Sequence, residues 1–276
     1  MTYDVLGAGA LDYLPCRYGT SRLLFRGPRR NLSKPFAAFI GGTETYGKFI
    51  EKPFPALIEE EIGLTCANFG TINAGVDVFL HDPFVVEATG DARVTVMQIM
   101  GTQNMSNRFY SVHPRRNDRF VKASVLLSTI YREVDFSEFH FNKHMLKTLL
   151  DISQDRFDVV RSELQQAWVA RMRMMLSQFS GKVVLVWFAN HAPARGRAAS
   201  IALGDDPLFV TREMVDEIAP LATEYVEVTA SKEAMEAGTD GMVFSQMETL
   251  AAQQMLGPKA HQEVATAVCK AMKSLM

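Results

Sequence analysis

The chain is poor in cysteine. Its 276 residues hold three, Cys16, Cys66 and Cys269, odd in number and far apart. They match neither a disulfide framework nor a metal-ligand spacing, which points to a reducing compartment. No apolar run approaches the roughly 20 residues that cross a bilayer. The opening MTYDVLGAGALDYLPCRYG has an early acid and no basic stretch, so it does not read as a signal peptide, and a cytoplasmic location is expected. Neither sign of charge dominates. The 29 Lys and Arg against 31 Asp and Glu leave a net charge of −2, which gives no global attraction to nucleic acid. No Gly-x-Gly-x-x-Gly follows a strand-like run and no phosphate-loop lysine is present, so no nucleotide cofactor is indicated. Repeats and low-complexity stretches are absent as well.

What is present alternates. Short apolar runs bounded by turn residues read as buried parallel strands at Ala37–Gly41, Cys66–Phe69, Val94–Met100, Val183–Ala189 and Tyr225–Val228. Helical patterns lie between them. Pro55 to Gly63 opens on proline and closes on glycine. From about Asp155 to Ser180, Phe157, Val160, Leu164, Trp168, Met172, Met175 and Phe179 form one stripe. Pro258 to about Lys273 is the last helix. The alternation predicts one α/β domain over 1–276, a three-layer α/β/α arrangement on a five-stranded parallel sheet of flavodoxin-like type. Two segments depart from it, an N-terminal arm (1–36) and a long stretch after the third strand (101–143). Ligands of open parallel sheets bind beyond the carboxyl ends of the strands, where that stretch begins.

Three blocks at those strand ends carry a resemblance. Phe39-Ile40-Gly41-Gly42-Thr43-Glu44-Thr45-Tyr46-Gly47 resembles the first block of SGNH/GDSL hydrolases, an apolar strand followed by Gly-Asp-Ser-x-Thr-x-Gly. The likeness puts Thr43 at the nucleophile and Gly42 at the family's aspartate. Asn68-Phe69-Gly70 resembles the second block and puts Gly70 among the oxyanion-hole donors. Gly101-Thr102-Gln103-Asn104 resembles the third, Gly-x-Asn-Asp, with Gln103 on the family's asparagine and Asn104 beside it. The chain also resembles a bacterial branch with this core, in which GGTETYG, SNRFYSVHPRRNDRF and CRYGTSRLLFRGPRR recur; that likeness implies no activity of its own.

The fourth block departs. The family ends with Asp-x-x-His, whose histidine is the general base. Asp240-Gly241-Met242-Val243 puts valine there, and alignment on the last helix puts Met255 there. His261, on that helix, and His191, after the fourth strand, are the remaining candidates for a base. His140 and His144 are four apart, yet no third ligand accompanies them, and no metal is expected.

Arginine is concentrated in two places. Between Tyr13 and Thr43 there is no acid, against Arg17, Arg22, Arg26, Arg29, Arg30 and Lys34. The loop Ser106–Phe120 holds Arg108, His113, Arg115, Arg116 and Arg119 against Asp118. Guanidinium forks recognise phosphate, sulfate and carboxylate, so an anion site is expected at these residues. Together these features imply an SGNH-like hydrolase or acyl/group transferase. Its substrate would be a small molecule, glycan or lipid carrying negative charge. The alternative is an inactive pseudo-hydrolase that binds an anionic ligand through the arginines. No oligomeric state is indicated.

Overall fold

Five apolar runs pair into one sheet in a computed structural model that describes residues 9–196, 203–204 and 206–276. The strands are β1 (Phe36–Ile40), β2 (Thr65–Asn68), β3 (Val94–Gln98), β6 (Lys182–Ala189) and β7 (Glu224–Thr229). Between β3 and β6 lies a separate antiparallel hairpin, β4 (Tyr110–His113) and β5 (Arg116–Ala123). The sheet order is β2-β1-β3-β6-β7, and every pair is parallel. This is the flavodoxin-like order, in which the chain switches direction between β1 and β3.

Alternation along the strands sorts the side chains to two faces. Ala37 and Phe39 of β1 and Val184, Val186 and Phe188 of β6 pack on one side. That side is covered by α2 (Phe54–Ile62), α9 (Lys232–Ala237) and α11 (Pro258–Leu275). Phe36, Ala38 and Ile40, with Leu185 and Trp187, face the other side. There they meet α3 (Val76–Leu80), α4 (Pro83–Asp91), α7 (Gln154–Gln178) and α8 (Arg212–Ile218). The long stripe predicted on α7 is all but fully buried, from Phe157 through Met175. The remaining helices are α1 (Thr43–Tyr46), α5 (Val125–Ile130), α6 (Asn142–Ile152) and α10 (Thr249–Ala252). Among the described residues no helix is long and apolar enough to cross a membrane.

The segment 101–143 is more ordered than its sequence suggested. The hairpin, α5 and α6 surround their own apolar cluster, with Tyr110, Phe120, Leu127, Tyr131 and Met145 buried against Phe157 and Leu164 of α7. Register shifts at Ser111–Val112 and Val112–His113 interrupt the two-residue alternation that would have marked the strands.

The first eight residues of the N-terminal arm lie outside the described residues. The rest folds back through an antiparallel bridge between Cys16 and Phe25. Tyr18, Leu23 and Phe25 enter the core. Arg26 is buried and donates to four carbonyls: Tyr46 (3.2 Å), Gly47 (2.6 Å), Ile50 (2.7 Å) and Glu51 (2.9 Å). It therefore fastens the chain leaving α1. Replacing Arg26 with methionine removes the guanidinium from these carbonyls, of which Gly47 keeps the Ile50 N–H as a donor. The expected loss is about 3 kcal/mol, since each bond to a charged donor contributes on the order of 1.5–3 kcal/mol and some carbonyls reach water. A fall in the urea midpoint at unchanged slope is the readout.

Candidate functional site

The turn after β1 sets the site. Gly41 closes on Gln98 and Thr45 so tightly that a Cβ there would overlap both side chains. The Gln98 side-chain carbonyl accepts from the Gly42 N–H (3.1 Å), the Thr45 N–H (3.1 Å) and the Thr45 hydroxyl (2.6 Å). This ties the β1 exit to the β3 exit and fixes Thr43 and Glu44 at the sheet edge. Tyr46 follows, buried beside Arg26, and burial pushes its phenol up to about 12. It exchanges no proton near neutral pH.

Thr43 is engaged at both ends of its hydroxyl. Oγ1 donates to Asn73 Oδ1 at 3.2 Å and accepts from the Asn73 N–H at 3.0 Å. Asn73 sits at φ +54°, in the left-handed region. Its own Nδ2 donates to Asp118 at 3.4 Å, and its carbonyl accepts from Asn104 Nδ2 at 3.0 Å. Among the described residues no histidine hydrogen-bonds to Thr43.

Each of the three groups expected to donate to an oxyanion makes one hydrogen bond within the protein. The Gly70 N–H donates to Asn68 Oδ1 at 2.8 Å, and a Cβ on Gly70 would collide with the Tyr46 backbone. Close approach of β2 to α1 accounts for this glycine. Gln103 Nε2 donates to Asp206 at 2.9 Å. Asn104 holds the Asn73 carbonyl, as above, and its own Oδ1 accepts from buried Asn142 at 3.1 Å.

Neither candidate base reaches the threonine. His261 is fully buried on α11, stacked on Phe54 and edge-on to Phe188. Its Nδ1 accepts the Phe54 N–H at 3.2 Å, and its Nε2 lies 3.7 Å from Glu44 Oε2. Glu44, not Thr43, is its neighbour at the cleft. His191 turns to Asn190 (2.7 Å) and packs against Trp187. Met255, which the helix alignment put at the family's histidine, does line the cleft. His140 precedes α6 while His144 lies on it beside Phe139, so the two do not share a helical face. Among the described residues no group of three or more His, Cys, Asp or Glu could hold a metal ion.

The hairpin holds the arginine loop next to Asn73 through Asp118 and Asn117. Arg108 is paired with Glu163 through Nε at 2.6 Å and through Nη2. Arg116 lies 3.9 Å from Asp118, and Arg119 packs over the Phe141 ring. His113 Nδ1 accepts the N–H groups of Arg115 and Arg116 and so closes the hairpin turn. None of these five residues lines the cleft. In the arm, Arg30 pairs with Glu59 and Arg29 lies over Tyr18.

The cleft itself has a volume of about 240 Å³ and lies at the switch between β1 and β3. Thr43, Gln103 and Asn104 line it; Gly70, His191 and His261 do not. Its polar wall adds Glu44, Asn73, Lys143, Asn190, Asp206 and Gln254, residues that sequence reasoning passed over. Asn190 directly follows β6 and Glu44 lies in the turn and helix that follow β1, which is the one signal that could have found them. Asn73, Lys143 and Asp206 arrive from segments whose path depends on tertiary packing.

A family model described as "Domain of unknown function (DUF6473)" matches residues 1–276. No curated protein matches the chain. Among solved structures, similar chains include a lipase from a goat rumen metagenome. It has 11% identity and a TM-score of 0.44, over 88% of this chain and 97% of that one. Another is a family two carbohydrate esterase from Clostridium thermocellum, at 11% identity and TM-score 0.41, over 91% of this chain and 66% of that one. Likenesses this distant carry no argument about the site.

The site's geometry leads to one expectation about stability. Gln98→Leu strands three buried donors of the β1–α1 turn, at a cost of about 1–3 kcal/mol for each group left unpaired. A loss of at least about 2 kcal/mol is expected in urea unfolding, whereas a neutral substitution would contradict the role given to this carbonyl.

Proposed function

The chain belongs to the DUF6473 family along its whole length, and from that premise we propose that it is a binding protein on a hydrolase-like sheet. In this reading the cleft holds a small polar ligand and no acyl-enzyme forms. The observation that carries it is the Thr43 hydroxyl, which both donates to and accepts from Asn73. A nucleophilic hydroxyl needs a base to take its proton, because it is almost never ionised near neutral pH. Here the proton is directed at an amide oxygen, a very weak base, and Met255, which one of the two alignments puts at the place of the dyad's imidazole, stands at the cleft wall.

The partners these donors already have support the same reading. Acyl transfer gains most from N–H groups preorganised toward the developing oxyanion. The candidates Gly70, Gln103 and Asn104 are directed at Asn68, Asp206 and Asn73 instead. The cleft keeps the place of an active site and loses its chemistry. Its lining suits a ligand with hydroxyl or amide groups, because carboxamides offer donor and acceptor together.

The test is covalent labelling. Incubation with a fluorophosphonate, followed by intact-mass and peptide analysis, is expected to leave Thr43 unmodified. Hydrolysis of p-nitrophenyl acetate is expected to be the same in the natural protein and in Thr43→Ala. A phosphonyl adduct on Thr43, or ester turnover that disappears with Thr43→Ala, would restore the hydrolase reading.

A further inference from the structure

Glu44 differs from the other charged groups around the cleft. Lys143 Nζ donates to the Gly204 carbonyl at 3.4 Å. Asp206 Oδ1 accepts from Gln103 Nε2 and from the Leu208 N–H (3.3 Å). Among the described residues the Glu44 carboxylate makes no hydrogen bond within the protein, although its side chain is only 18% exposed. Behind it stands His261, whose side chain is 0% exposed and whose Nε2 has no hydrogen-bond partner.

The tautomer of His261 follows from its other nitrogen. Nδ1 accepts the Phe54 N–H, so it carries a bare lone pair. The ring proton is then on Nε2, and the ring is neutral. Glu44 Oε2, at 3.7 Å, is the polar atom that this buried N–H faces. The distance is just beyond a hydrogen bond, so a small inward movement of the carboxylate would complete one. A buried donor left in this way is costly unless something orders the carboxylate against it.

We infer that the cleft takes a small polyol bearing an amine, with Glu44 receiving the amine and His261 positioning Glu44. The inference rests on the binding reading given above and adds the ligand's chemical class to it. An ammonium group gives Glu44 a charge-assisted bond on its cleft side, while the Nε2–H of His261 holds the other side. A phosphate or carboxylate in the same place would face Glu44 at close range. Hydroxyls are matched by the carboxamides of Gln253 and Gln254, both of them exposed and lining the cleft.

Glucosamine, glucose and glucuronate test the inference, since they share a ring of hydroxyls and differ in charge. Each is titrated by protein-observed NMR into the natural chain and into Glu44→Gln, which keeps the shape of the side chain. The imidazole ¹⁵N signals of His261 are followed together with the cleft amides. Glucosamine is expected to bind tightest to the natural chain and to shift the Nε2 signal of His261 while Nδ1 stays unprotonated. In Glu44→Gln its affinity falls by about tenfold, the size of one charge-assisted contact, while that of glucose barely changes. Tighter binding of glucuronate, or glucosamine binding that is indifferent to Glu44→Gln, overturns the inference and leaves the binding reading intact. If none of the three sugars moves a cleft signal, the polyol class is wrong. The binding reading is then judged separately by the labelling of Thr43.

Discussion

The side-chain carbonyl of Gln98 accepts three hydrogen bonds from the turn after β1, and the geometry of the cleft depends on them. They join the ends of two neighbouring parallel strands at the point where the sheet's order reverses. A turn held in this way has little freedom to re-aim Thr43. Arg26 supports it from outside by clamping the carbonyls that follow α1. With the turn fixed, Thr43 meets Asn73, Asn73 meets Asn104 and Asp118, and the cleft wall becomes one connected polar network. Such networks rigidify when their members are satisfied. Rigidity of this kind suits recognition, whereas acyl transfer would require several of the same bonds to be exchanged.

The same strand ends can therefore serve a purpose different from the one their sequence resembles. The hydroxyl, the glycine and the amides are all present at the expected strand ends. What differs is where their hydrogen bonds go. Among the described residues, the one ionisable side chain lining the cleft without a hydrogen bond is Glu44, beside the threonine, and the buried histidine stands behind Glu44. In the proposed reading, recognition at this edge moves by one residue along the turn, from a hydroxyl to a carboxylate.

Much of the fold was legible because burial leaves a periodic trace. The five strands and the helices α2, α7 and α11 lie within a few residues of where apolar spacing, proline and glycine put them. The hairpin was not legible, because its bulges break the alternation and its arginines masked its buried Tyr110 and Phe120. At the site, Thr43, Gln103 and Asn104 line the cleft after β1 and β3, since a strand end fixes the direction of the next few residues. Their partners were not legible. That Gln103 turns to Asp206, 103 positions away, or that His261 meets Glu44 from α11, depends on tertiary contacts that leave no local pattern. The arginines misled for a related reason. Charge concentration in a sequence says nothing about which acids, such as Glu163 and Glu59, will fold against it.

The central claim is that Thr43 is a structural tie to Asn73. A double-mutant cycle with Thr43→Val, Asn73→Ala and the pair of substitutions measures that tie directly by urea unfolding. The cycle cancels the strain that alanine takes on at a positive φ and the loss of each side chain's other contacts. A favourable coupling of at least about 0.5 kcal/mol is the expected result, as for a net hydrogen bond between a hydroxyl and an amide. A coupling indistinguishable from zero would mean that the Thr43 hydroxyl does not donate to the Asn73 side chain, since the Asn73 N–H persists in Asn73→Ala, and the account of the cleft as a binding site would lose its foundation.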